Sequence, residues 1–168
     1  GALNANGRRV VVIGGGDTAI DFVRTARRQG AKSVTCLYRR DRANMPGSQR
    51  EVAHAEEEGV LFDWLAAPKS VRAGKSPAVK AVRMQLGQPD ESGRQTPQEQ
   101  PDSAYEVPGD LIIAALGFDA EDLSDWNIDL TRWGTVRADP LSFATSEPGG
   151  YAAGDIVRGA SLVVWAIR

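Results

Sequence analysis

Val10-Val11-Val12-Ile13 is an uninterrupted run of β-branched residues, which predicts a strand buried on both faces, as at the centre of a parallel sheet. The run stops at Gly14-Gly15-Gly16, and from Asp17 the apolar residues recur at helical spacing. Ala19, Ile20, Phe22, Val23 and Ala26 fall on one side, while Arg24, Arg27 and Arg28 load the C-terminal end. This pattern predicts a helix from Asp17 to about Gln29, closed by Gly30 in the left-handed conformation. Ser33 to Tyr38, apolar at Val34, Cys36 and Leu37, predicts a second strand. Strand, glycine turn, helix and strand together form a βαβ unit.

Beyond it, Arg39 to Gly47 reads as a basic loop closed by a Pro-Gly turn. Ser48-Gln49-Arg50-Glu51 has the capping-box pattern and predicts a helix that ends before Gly59. Val52, Ala53 and Ala55 form its apolar side, with His54 and Glu56-Glu57-Glu58 expected in solvent. Val60 to Leu65 predicts a third strand. The pattern then shifts to short alternating stretches joined by turns: Lys69 to Ala73, Val79 to Leu86 and Tyr105 to Val107. These predict an antiparallel meander added to the parallel sheet. Gly87 to Ser103, polar and carrying Pro89, Pro97 and Pro101, is expected to be a disordered loop. Asp110 to Leu116 predicts a further buried strand, followed by a polar excursion with a helical turn over Asp119 to Trp126. Gly134 to Ala138 and Phe143 to Thr145 read as extended pieces, and Gly150 to Asp155 as a last strand running into a Gly-Asp turn. The fold class expected is α/β: a Rossmann-like, three-layer domain with a central parallel sheet plus the meander.

Bulk composition narrows the function classes. A chain of 168 residues is one domain by length, and a net charge of −2 gives no reason to expect nucleic acid or an anionic membrane as partner. No apolar run approaches the roughly 20 residues needed to span a bilayer. No signal peptide precedes the first strand, so a cytoplasmic setting is expected. The single cysteine, Cys36, excludes an internal disulfide and a multi-cysteine metal site within the chain, and its strand setting predicts a buried, inert thiol. The chain lacks an initiator Met, and Ala160 to Arg168 opens a helical pattern without a stop signal. An excised domain is expected.

The chemistry is concentrated at the ends of the predicted parallel strands. Gly14, Gly16 and Ala19 give the spacing G-x-G-x-x-A directly after a buried strand and at a helix start. Gly14 permits the tight turn, and Gly16 leaves no Cβ between the backbone and a pyrophosphate. The helix N-terminus presents unpaired N–H groups and a positive dipole end to that anion. We therefore read Gly14, Gly15, Gly16, Asp17 and Thr18 as a dinucleotide pyrophosphate site. Asp17 beside a dianion has two open readings: a helix cap, or a contact to cofactor through water or a ribose hydroxyl.

The end of the second strand selects the dinucleotide. An NAD site places Asp or Glu there for the ribose hydroxyls. This chain has Arg39 and Arg40, which suit a 2′-phosphate through paired, charge-assisted hydrogen bonds. One such bond is worth roughly 1.5–3 kcal/mol, giving about tenfold to a hundredfold preference for NADPH. The alternative is a solvated basic loop; position at the strand end favours the phosphate. Asp41 lies past the strand end, between arginines. Ala114-Ala115-Leu116-Gly117 reads either as room for the nicotinamide beside Ala115 and Gly117 or as a plain small-residue strand end. No residue stands out as an acid, base or nucleophile, as suits a reaction carried by cofactors.

Four segments resemble, in order, the family of the small (β) subunit of NADPH-dependent glutamate synthase. They are Val10 to Asp21 (VVVIGGGDTAID), Gly30 to Arg42 (GAKSVTCLYRRDR), Asn44 to Ser48 (NMPGS) and Tyr151 to Ile167 (YAAGDIVRGASLVVWAI). The family includes the flavoprotein segment of dihydropyrimidine dehydrogenase and related NADPH-ferredoxin oxidoreductase subunits. The resemblance implies the FAD/NAD(P)-binding superfamily fold, NADPH on the glycine turn and arginines, and FAD near Gly154 and Asp155. It further implies iron–sulfur clusters held by cysteines outside this chain, and an FAD-binding half that is also outside. Residues 1–150 would then be the NADPH-binding domain and 151–168 the segment returning to the FAD-binding domain. By the same resemblance the intact protein passes reducing equivalents from NADPH to FAD and on to the glutamate synthase large subunit, for glutamate synthesis from glutamine and 2-oxoglutarate. Another electron acceptor, ferredoxin or a pyrimidine, is the alternative within the family. A non-catalytic NAD(P)-binding module and a self-contained NADP dehydrogenase are the alternatives outside it, the latter without an evident substrate domain.

Overall fold

The computed structural model describes residues 4–89, 93, 95–117 and 121–159. The first unit, Gly1–Leu116, begins with β1 (Arg9–Ile13), α1 (Asp17–Arg28) and β2 (Ser33–Tyr38). Next come α2 (Gln49–Glu57) and β3 (Leu61–Trp64). β1, β2 and β3 pair in parallel, and β8 (Leu111–Ala114) joins the other side of β1, giving the order β3-β2-β1-β8. The order reverses at β1, so the crevice at the C-terminal ends of β1 and β8 is the topological switch point where such sheets take ligands.

Between β3 and β8 the chain forms β4 (Ala66–Arg72), β5 (Ala78–Pro89), β6 (Gln95–Glu99) and β7 (Tyr105–Pro108), all antiparallel about β5. Alternation along β1 explains the three layers. Val10 and Val12 pack on the helix side with Ala19, Val23, Ala26 and Ala55. Val11 and Ile13 face the opposite way and pack with Ala66, Val79 and Ala81 of the meander. A side chain removed from water on this scale contributes about 1.5–3 kcal/mol, so β1 anchors both interfaces.

The structure differs from the sequence pattern in several places. The strand expected to be buried over Asp110 to Leu116 is β8, Leu111–Ala114, which is only half-buried because it is an edge of the parallel sheet, and Leu116 is exposed. Gly150 to Asp155, expected as a last strand, holds a single bridge at Tyr151 before a short helix begins at Asp155. Gly87–Pro89 continue β5, and Gln95–Glu99 form β6, where a disordered loop was expected; residues 90–92 and 94 lie outside the described set. Pro97 pairs opposite Leu86 on an edge strand, a position where the missing N–H costs no ladder bond. Ser48 precedes α2, but its side chain makes no capping bond, and Glu51 reaches Arg24 of α1 instead of closing a capping box. Phe22 is half exposed, leaving Ala19, Ile20, Val23 and Ala26 as the buried stripe of α1. Glu58 leaves solvent to pair with Arg24 and Arg28.

The second unit, Gly117–Arg168, holds the bridges Leu130↔Val136 and Ala144↔Tyr151 and the short α3 (Asp155–Arg158). Leu123, Thr135 and Val136 are its buried residues among those described. The helical pattern expected over Ala160 to Arg168 lies outside the described residues, as does Asp119.

Candidate functional site

The site is assembled where β1 ends. Gly14 has φ 147°, and a Cβ there would overlap the Ala115 carbonyl oxygen from the end of β8. Ala115, half-buried, donates its N–H to the Ile13 carbonyl at 2.8 Å. A Cβ on Gly15 would run into the ring of Tyr38. Gly16 is different: a Cβ there would have nothing within 4 Å. The first two glycines are thus enclosed by protein, and the third opens onto free space in front of the helix.

Gly16 is the N-cap of α1, and no side chain caps this helix. The backbone N–H groups of Gly15, Gly16, Asp17 and Thr18 reach no backbone acceptor among the described residues. Unpaired N–H groups at a helix start, next to open space, form an anion-binding corner. Thr18 is exposed and Ala19 fully buried, so Ala19 performs the helix-to-strand packing that the third fingerprint position demands. Asp17, the first residue of α1, is exposed and accepts a hydrogen bond at Oδ1 from the Ser48 N–H at 2.9 Å.

The arginine loop starts directly after β2. Arg39 is exposed and Arg40 half-buried, and neither guanidinium has an ion-pair partner among the described residues. Arg40 Nε is buried and without a hydrogen-bond partner among the described residues, which costs free energy. Its neighbours are committed elsewhere. Arg42 pairs with Glu56 at 2.8 Å, and the Asp41 carboxylate accepts from the Asn44 N–H at 2.9 Å and from Asn44 Nδ2 at 2.7 Å. The acid that could be mistaken for a ribose ligand therefore shapes its own loop. Tyr38 donates its hydroxyl to the Asn44 carbonyl at 2.9 Å, tying the loop to the ring that covers Gly15.

Cys36 lies beneath the turn, fully buried, with Sγ 3.4 Å from the Gly14 carbonyl oxygen. Burial pushes its thiol up to about 12, which leaves it protonated and inert. Asp110, at the entry to β8, is held well below the ordinary carboxylate range by hydrogen bonds from the Arg9 side chain and backbone. That clamp fixes the far end of β1, away from the glycines.

The sequence-predicted residues fall into two groups. Gly14, Gly15, Gly16, Asp17, Thr18, Arg39, Arg40 and Ala115 belong to the first unit and gather at the C-terminal ends of β1, β2 and β8. Gly117, Gly154 and Asp155 belong to the second. Gly117 is exposed at φ 84°, and Gly154, at φ 80°, precedes the four-residue α3 that Asp155 begins. Asp155 is exposed. Sequence reasoning missed Tyr38 as the lid of Gly15 and Gly47-Ser48 as a contact to the turn. The adjacency of the NMPGS segment to the arginines was the available signal.

A Rossmann-type sheet with a glycine turn, a bare helix start and unpaired arginines at one edge defines a dinucleotide-binding domain. The family model for pyridine nucleotide-disulphide oxidoreductases matches residues 2–168, and the chain belongs to that family. It is 64% identical over 173 residues to the putative glutamate synthase (NADPH) small chain of Cereibacter sphaeroides, covering 99% of this chain and 41% of that protein. It is 60% identical to the glutamate synthase (NADPH) small chain of Azospirillum brasilense, covering 100% of this chain and 36% of that protein. The chain thus spans about two-fifths of the length of these relatives. Among solved structures, FprA of Mycobacterium tuberculosis in complex with NADPH matches at a TM-score of 0.73 and 16% identity. That match covers 96% of this chain and 50% of FprA, and it bears on the fold. No helix among the described residues is long and apolar enough to cross a membrane.

Proposed function

We propose that this chain is the NADPH-binding part of a flavoprotein oxidoreductase of the glutamate synthase small-chain type, which passes reducing equivalents from NADPH to FAD. The observation that carries the reading is the pair of anion-ready features on one sheet edge. Gly16 and the bare N–H groups after it suit a pyrophosphate, and Arg39 and Arg40, neither in an ion pair among the described residues, suit a 2′-phosphate. The high identity to NADPH-named small chains over the whole chain supports the choice of partner and reaction.

In this reading the bound nicotinamide supplies a hydride, and the protein supplies position. Gly14 to Thr18 hold the pyrophosphate, Arg39 and Arg40 grip the 2′-phosphate, and the small residues through Ala115 and Gly117 leave room for the nicotinamide ring. Gly154 and Asp155 would serve the FAD side together with a half of the protein outside this chain. A single cysteine cannot hold an iron–sulfur cluster, so clusters would be carried elsewhere in the intact protein, on the route to a large subunit that makes glutamate from glutamine and 2-oxoglutarate. Residues 1–150 would form the NADPH domain and 151–168 the return toward the FAD domain.

The test is flavin bleaching in the protein at its natural length, mixed anaerobically with NADPH or NADH. Rapid bleaching by NADPH, slowed about tenfold or more with NADH and with R39A/R40A, is the expected result. A protein that contains no flavin, or whose flavin NADPH does not bleach, would contradict the proposal.

A further inference from the structure

Asp17 is an awkward residue for a phosphate site, because a carboxylate at the first position of the helix repels the anion that the helix start attracts. Its hydrogen bond explains its presence. Oδ1 accepts from the N–H of Ser48, 31 residues away and at the far end of the arginine loop. One residue earlier, the Gly47 N–H donates to the Gly15 carbonyl at 2.9 Å. Gly47 is buried there, and a Cβ on it would lie 3.1 Å from that carbonyl oxygen and 3.3 Å from Ile20 Cγ1. Ser48 also precedes α2, whose start has no side-chain cap of its own, so the Asp17 charge sits favourably against that helix end.

The loop from Arg39 to Ser48 is therefore held at both ends. Near its start the Leu65 N–H donates to the Arg40 carbonyl at 3.0 Å, and at its finish Gly47 and Ser48 are fastened to the glycine turn. The other polar contacts of the loop, Tyr38 with Asn44, Asp41 with Asn44, and Arg42 with Met45, Gln49 and Glu56, act within the loop or on β2 and α2. Asp17 and Gly15 are the turn's own contribution.

We propose that Asp17 is a positioning residue for 2′-phosphate recognition: by tethering Ser48 it sets the distance between the glycine turn and the arginine pair. This rests on the NADPH reading above. A ligand with both a pyrophosphate and a 2′-phosphate depends on that distance, whereas one without the 2′-phosphate depends on the turn alone. Removing the tether therefore lowers the preference between the two ligands and not merely the affinity for both.

The experiment is calorimetric titration of the flavin-loaded protein at its natural length with NADP+ and with NAD+, so that no turnover intervenes. D17A should reduce the NADP+/NAD+ affinity ratio by roughly 3- to 10-fold, about what one hydrogen bond controls. D17N keeps an acceptor of the same shape and should retain the wild-type ratio. S48P removes the donor from the other side; Ser48 already has φ −56°, within the range of a proline ring, and this variant should reproduce D17A. In the R39A/R40A background D17A should leave the ratio unchanged. A ratio preserved in both D17A and S48P, or lost equally in D17N, would overturn the proposal while leaving the NADPH reading intact. A wild-type protein that does not prefer NADP+ would instead overturn that reading.

Discussion

Three consecutive glycines do three different jobs at the end of β1, and only a contact map separates them. Gly14 has φ 147° and lies against the Ala115 carbonyl, so Gly14→Ala combines strain with a backbone clash. It should cost about 1–3 kcal/mol or more in urea unfolding, and nucleotide binding with it. Gly16→Ala meets open space and should lower the unfolding free energy by no more than about 1 kcal/mol, the cost of alanine at an N-cap. Its methyl group would occupy the approach to the helix start, so NADPH affinity should fall at least tenfold in the same preparation. Equal losses of stability in the two variants would contradict this division. The G-x-G-x-x-A spacing made the first and third glycines legible in the sequence. The middle one was read only as part of the turn, because its own constraint comes from Tyr38, 23 residues on and brought across by the parallel pairing of β1 with β2. Cys36 was legible, being apolar in context on a strand. With its thiol pushed up to about 12, alkylation by iodoacetamide at pH 8 should be negligible in the native protein and complete after denaturation. Prompt native labelling would show that β2 is not buried as described.

At the scale of elements, α1 and α2 are joined by charge. Glu58, just after α2, accepts from Arg24 Nε at 3.1 Å and Nη2 at 2.7 Å, and from Arg28 Nη2 at 2.7 Å. Hydrogen bonds from Arg24, then Arg28, lower its carboxyl from 4.5 to about 2. A lowered folded value means the contribution is fully present above the unfolded value and fades as pH falls toward the folded one. Glu58→Gln should therefore be less stable than wild type at pH 7, with the two stabilities converging between pH 4.5 and about 2 in urea titrations. A gap that persists unchanged to pH 2 would assign the effect to shape and not to charge. These pairings escaped the sequence because Glu56-Glu57-Glu58 has the look of a solvated run, and only the packing angle of the helices brings its last member to α1. The hairpin of β5 and β6 escaped for another reason. Along β6 both faces remain largely in solvent, so no alternation marks it, and Pro97 argues for a loop unless the strand is known to be an edge. By contrast, β1, α1 and β2 were read within a residue or so of their bounds, since burial on both faces of β1 writes itself as an unbroken apolar run.

For the whole molecule, the first unit brings together the glycine turn, the arginine pair and Ala115, while Gly154 and Asp155 lie in the second unit. The central claim is that this chain carries an NADPH site whose glycine turn and phosphate-gripping arginines lie in the first unit. The most direct measurement is isothermal titration of this 168-residue chain with NADPH and with NADH, on wild type and on R39A/R40A. The account predicts NADPH tighter by about tenfold to a hundredfold in the wild type, with the double variant binding both ligands at the NADH level. Equal affinities in the wild type, or an NADPH preference that survives loss of both arginines, would contradict it.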